Sequence, residues 1–162
     1  MIYSENFNKA IKFLLSPETE GGLQEAGWEN GGLTKFGISK RAYPHLDITN
    51  LTMDQAIQIF YNDFWMRNKC EQMPFKIAIA VFDSSVNQGQ GTAAKLLQLA
   101  LGITADGVVG PKTLLAVNKS NHKKTLTSFM AERAIRYPDY DDWPVAKRGW
   151  MRRLFRVVLE GI

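Results

Sequence analysis

Six of the chain's 13 glycines fall between positions 21 and 37. Such density forces tight turns and close backbone approach, because only glycine adopts positive φ without steric cost. The same stretch carries Glu20, Glu29 and Thr34. A short region that turns back repeatedly while holding carboxylates is a candidate active-site rim. Two carboxylates facing across a cleft are the minimal equipment for cleaving a glycosidic bond.

The rest of the chain reads mainly as helix. Phe7, Ala10, Ile11, Leu14 and Leu15 recur at helical spacing over residues 5 to 15. Ser16-Pro17-Glu18 then reads as an N-cap with proline at the first helical position, a fresh turn that Gly21-Gly22 stops. Asn30-Gly31-Gly32 predicts a turn, and Thr34 to Ser39 a brief strand. Thr52 and Gln55 match a capping box, opening a helix with Ile57, Phe60, Tyr61 and Phe64 on one face. Residues 76 to 86 are apolar nearly all round, the signature of a central buried helix. Further helices are predicted over 92 to 101, from Gly110-Pro111 to Val117, over 124 to 137 and over 146 to 160, with a turn at Asp106-Gly107. The expectation is a mainly α, α+β chain: a helical bundle with one small antiparallel sheet beside the site.

At 162 residues the chain fits one domain with room for two lobes, drawn here as 1–90 and 91–162. A single cysteine, Cys70, rules out an internal disulfide and suits a reducing compartment. His45 and His122 lie far apart, so no metal cluster of recognisable spacing can be written, and no cofactor is expected. The net charge of +4 favours anionic partners, whether nucleic acid, phospholipid surfaces or cell-wall polymers. The first residues carry an early acid and no long apolar core, which reads as neither signal peptide nor membrane anchor. That predicts a soluble cytoplasmic product which needs a separate route to any target outside the membrane.

A glycosidase needs one protonated acid for the leaving oxygen and a second carboxylate to activate water or stabilise positive charge. Glu20 lies at the end of a predicted helix, Glu29 nine residues on before a turn, and Thr34 where a hydroxyl can hold a water. From spacing alone Glu18 and Glu25 compete for the same roles, and a glutamate beside glycine can equally be a solvated carboxylate.

The segment resembles glycoside hydrolase family 108, the N-acetylmuramidases found among phage endolysins. The resemblance rests on Glu20-Gly21-Gly22-Leu23, Glu29-Asn30-Gly31-Gly32 and Thr34-Lys35-Phe36-Gly37-Ile38-Ser39, in register without gaps. It implies that Glu20 is the catalytic acid and that Glu29 and Thr34 stand at the family's aspartate and threonine. Glu29 is one methylene longer than the usual aspartate, Asn30 replaces the usual proline, and Leu23 an aromatic residue. Downstream, Phe82-Asp83-Ser84-Ser85-Val86-Asn87-Gln88-Gly89 is similar to the family's helix end. Asp106-Gly107-Val108-Val109-Gly110-Pro111-Lys112-Thr113 resembles its companion, a predicted peptidoglycan-binding domain, whose closing helices fit Arg133, Tyr137 and Gly149 to Arg153.

The implied activity is hydrolysis of the β-1,4 bond between N-acetylmuramic acid and N-acetylglucosamine, with inversion by analogy with related phage lysozymes. Peptidoglycan is then the partner, nucleic acid is not, and the chain is expected to act as a monomer on the periplasmic wall after holin-type release. Two alternatives stand beside it: a lytic transglycosylase on the same scaffold, and a non-catalytic wall-binding module. Asp83, Asn87 and Tyr137 are candidate substrate-binding residues. For Asp83 and Asn87 a helix cap with a buried hydrogen-bond network is an equal reading, and for Tyr137 a core position with a satisfied hydroxyl is the favoured one. Asp106 to Thr113 reads as a turn that can also touch peptidoglycan. Lys147, Arg148, Arg152, Arg153 and Arg156 interleave with Trp150, Leu154 and Phe155, either as a basic amphipathic helix for an anionic outer-membrane surface or as a packed helix with a solvated basic face. His45 and Cys70 carry no assigned chemistry.

Overall fold

The computed structural model describes residues 2–16, 27–29 and 32–161, with 27–29 given as backbone. The fresh turn expected at Pro17, and Glu20 itself, lie outside the described residues.

Helix α1 (Glu5–Leu14) starts at Ser4, whose hydroxyl oxygen accepts from the Phe7 amide, and buries Phe7, Ala10, Ile11, Phe13 and Leu14. That hydroxyl also donates to Glu71 Oε2 at 2.9 Å, and Trp65 Nε1 donates to the same oxygen at 2.7 Å. One carboxylate thus pins the start of α1 to a core tryptophan.

Three short strands follow: β1 (Gly27–Glu29), β2 (Gly32–Lys35) and β3 (Ile38–Ser39), paired in that order and antiparallel throughout. The single strand expected from Thr34 to Ser39 is instead two strands. Lys35 pairs with Ile38, and Phe36 and Gly37 between them hold φ of +54° and +78°. Two consecutive positive φ values define the type I′ hairpin loop, whose twist matches that of the flanking strands. Alternation along 34–39 hides such a turn, because phenylalanine rarely takes the left-handed conformation.

The capping box at Thr52 opens α2 (Met53–Ile59), with both reciprocal hydrogen bonds formed. The helix then widens into a π-helical run, Phe60–Met66. This changes which side chains face inward. Phe60 and Trp65, five residues apart, are buried, whereas Tyr61 and Phe64 are only partly so. Trp65 meets Phe7 and Phe82 edge-on, with ring centroids 5.6 and 5.5 Å apart. The expected α-helical face omitted Trp65 for this reason. A 3-10 turn, Cys70–Gln72, leads to the next helix and buries Cys70.

Helix α3 (Phe75–Gln88) is the central buried helix predicted, with Ile77 to Ser85 all buried. Around it pack α1, α4 (Gln90–Ala100), α6 (His122–Arg136) and α7 (Trp143–Glu160), with α5 (Pro111–Lys119) against α6. Gly89, between α3 and α4, has φ +90° and ψ 149°, a conformation open to glycine alone, and there the chain turns from one helix into the next. The observed architecture is the expected helical bundle with one small antiparallel sheet. Among the described residues no helix is long and apolar enough to cross a membrane.

Candidate active site

Strand register arranges the predicted site residues that the structure describes. Gly27 pairs with Thr34, and Glu29 with Gly32. Directly opposed residues share a face, as do residues two apart, so positions 27, 29, 32 and 34 lie on one face of the ladder. Positions 29 and 34 are diagonal neighbours there. The other two positions are glycines, and a Cβ built on Gly32 meets no atom of the described residues within 4 Å. Thr34 is 9% exposed, and its Oγ1 donates to the Gly32 carbonyl at 3.1 Å. That bond takes the hydroxyl proton and leaves the oxygen's lone pairs as acceptors.

Asp83 and Tyr137, expected as candidate substrate-binding residues, are placed differently. Asp83 is fully buried. Its Oδ2 lies 2.6 Å from Arg133 Nη2, and its Oδ1 accepts from Arg153 Nε at 2.8 Å. Both oxygens are committed to guanidinium groups, so the residue is part of a buried network and does not face a ligand. Tyr137 is also fully buried, stacked at 18° on Trp143, with its hydroxyl 3.2 Å from Asn87 Oδ1. Burial pushes its phenol above the usual range. Asn87 Oδ1 accepts in addition from Arg133 Nη2 at 3.3 Å, and Asn87 keeps partial exposure.

Arg153 is the residue whose role the helical pattern obscured. It belongs to a run of cations that reads as a solvated face, yet it is 4% exposed. A signal was present: Arg153 falls on the same stripe as Trp150, Leu154 and Val157, and the last two are buried. Two guanidinium groups flank one carboxylate at the junction of α3, α6 and α7.

Gln98, 1% exposed, clamps the Asp106 turn. Its Nε2 donates to Asp106 Oδ1 (2.7 Å), the Val108 carbonyl (3.0 Å) and Thr113 Oγ1 (3.1 Å), and its Oε1 accepts from the Gly107 amide (2.9 Å). The Gln98 amide and the Val108 N–H hold the Asp106 carboxyl below the usual carboxylate range. These bonds account for the glycine-rich turn on structural grounds. Among the described residues no group of three or more His, Cys, Asp or Glu is arranged to hold a metal ion.

Residues 92–155 match the predicted peptidoglycan domain family. A solved structure titled as that of Brucella abortus SagA is 26% identical, with a TM-score of 0.84, over 96% of this chain and 92% of that one. No curated protein matches the chain. The glycosyl hydrolase 108 family matches residues 2–89, the half that contains the glycine-rich segment, the hairpin and the whole of α3. A match over more than half the chain, on a lysozyme-like α+β fold and joined to a peptidoglycan domain, makes this protein a member of the glycosyl hydrolase 108 family, a glycoside hydrolase that acts on peptidoglycan.

Proposed function

We propose that the protein is an N-acetylmuramidase of the endolysin type, cleaving the β-1,4 bond between N-acetylmuramic acid and N-acetylglucosamine. Glu20 donates its proton to the glycosidic oxygen as the carbon–oxygen bond breaks. A water adds to the sugar carbon and gives its proton to Glu29. Thr34 accepts the water's other hydrogen, which leaves an oxygen lone pair aimed at the sugar. The observation that carries this reading is the ladder register, which sets position 29 diagonal to Thr34 on a face whose other two positions are Gly27 and Gly32. In this scheme attack comes from the side opposite the leaving group and the product is inverted, which requires the two carboxyls to stand about 6.5–9.5 Å apart. Asn87, at the end of α3, serves as a sugar hydroxyl partner.

The test is product analysis of purified peptidoglycan digested by the wild type and by Glu20→Gln. The wild type should release reducing muramic acid ends. The variant should lose about 100- to 10,000-fold in rate, the usual contribution of a general acid. Anhydro-muramyl ends from the wild type would replace this reading with a transglycosylase. Binding without cleavage would replace it with a wall-binding module.

A second reading concerns α7. Val145, Phe155 and Leu159 on this helix are 86%, 66% and 70% exposed, and Lys147, Arg148 and Arg152 are exposed beside them. Cations flanking exposed apolar side chains suit an anionic lipid surface. Sedimentation with vesicles of phosphatidylglycerol against phosphatidylcholine checks it, and equal binding to both rejects it.

A further inference from the structure

A groove of about 440 Å³ opens in the second half of the chain, between the first turns of α4, the loop at Ala105 and the end of α6. Its size is that of a small-ligand site. Leu96 and Leu99 give it an apolar wall, and two exposed cations, Lys95 and Arg136, stand at its edge. Among the described residues no acid lines it and neither cation is in an ion pair.

Asp106, next to Ala105 in the chain, is held by Gln98 and the Val108 amide and is not among the described residues that line the groove. The lysine is also held in place. A Cβ at Gly107 would stand 3.2 Å from Lys95 Cε and 3.4 Å from the Gly91 carbonyl. The lysine stem therefore lies against the loop, with its ammonium left at the rim.

The ligand chemistry follows from charge. The N-acetylglucosamine units of a peptidoglycan strand are neutral, whereas the peptides attached to the strand carry free carboxylates and alkyl side chains. Two cations beside an apolar wall match the peptide and not the sugar chain. We infer that this groove binds the carboxylate-bearing peptide of peptidoglycan, a contact separate from the Glu29 and Thr34 face. The inference rests on peptidoglycan being the substrate.

The experiment titrates the full chain with the synthetic tripeptide L-Ala–γ-D-Glu–L-Lys, read by amide chemical shifts and calorimetry. The amides of Gly91 and Thr92 should shift on addition. Lys95→Gln with Arg136→Gln should weaken binding at least tenfold, and each single substitution should lose part of that. Blocking the peptide's carboxylates as amides should give the same loss with the protein unchanged, which covers the case of a double variant that folds poorly. Shifts elsewhere only, or equal affinity for the amidated peptide, overturn the inference. Failure of the hydrolase reading is seen separately: a protein that binds the tripeptide but releases no reducing sugar ends keeps the groove assignment and loses the proposed reaction.

Discussion

Arg133 Nη2 lies 2.6 Å from Asp83 Oδ2, and neither side chain reaches solvent. Asp83 is on α3 and Arg133 on α6, so this contact and the Arg153 bond from α7 join the half of the chain that matches the hydrolase family to the half that matches the peptidoglycan domain. Taking these charges out of water costs several kcal/mol per ion, and their attraction offsets that only while all partners remain. Asp83→Ala should therefore destabilise the protein by about 3–5 kcal/mol in urea unfolding. Replacing all three charges together by apolar residues of similar volume should recover most of that loss. If the single substitution costs under about 1 kcal/mol, the network is not what holds the three helices together.

Thr34→Val tests the water-holding role at nearly constant volume. The methyl group cannot accept a hydrogen bond, so one contact of about 1.4 kcal/mol is removed, equivalent to about a tenfold fall in kcat. Thr34→Ser should keep most of the activity. Equal rates for Val and wild type on purified peptidoglycan would remove Thr34 from the proposed mechanism.

Gly89 and Gly91 form a matched pair. A Cβ meets no atom of the described residues within 4 Å at either position. Gly89 has φ +90°, and Gly89→Ala should cost about 1–3 kcal/mol in conformational strain alone. Gly91 sits inside α4, and Gly91→Ala should gain about 0.5–1 kcal/mol. Denaturation midpoints moving in opposite directions are the expected result.

Cys70 is completely buried, and burial drives its thiol well above the usual range. The reactive species is the thiolate. A disulfide reagent such as 5,5′-dithiobis(2-nitrobenzoate) should leave the native protein unmodified at pH 8 and label it at once in denaturant. Rapid labelling of the native protein would contradict this placement.

The Asp106 carboxyl is held below its ordinary value in the folded chain. A depressed folded value means its stabilising effect is complete above the unfolded pKa and disappears as pH falls through the folded one. Acid titration of the melting temperature should show the wild type losing stability below about pH 4 more steeply than Asp106→Asn. Parallel curves would mean that the turn does not depend on this charge.

The features legible in the sequence are those set by residues close together in the chain. The Thr52 capping box, Pro111 at the first position of α5 and the unbroken apolar run of α3 all appear where local pattern puts them, because caps and helical periodicity involve neighbours three or four residues apart. The glycine-rich segment likewise marks the only sheet among the described residues. What tertiary structure decided are the choices that depend on distant partners. Trp65 turns inward on a π-helical pitch, where it meets Phe7 and Phe82. Arg153 leaves the solvated face because a buried carboxylate 70 residues away offers it a charge in a place without water. Glu29 and Thr34 are both visible as motif letters, but their shared face comes from strand register, in which a slip of one residue would send every side chain of a strand to the opposite side.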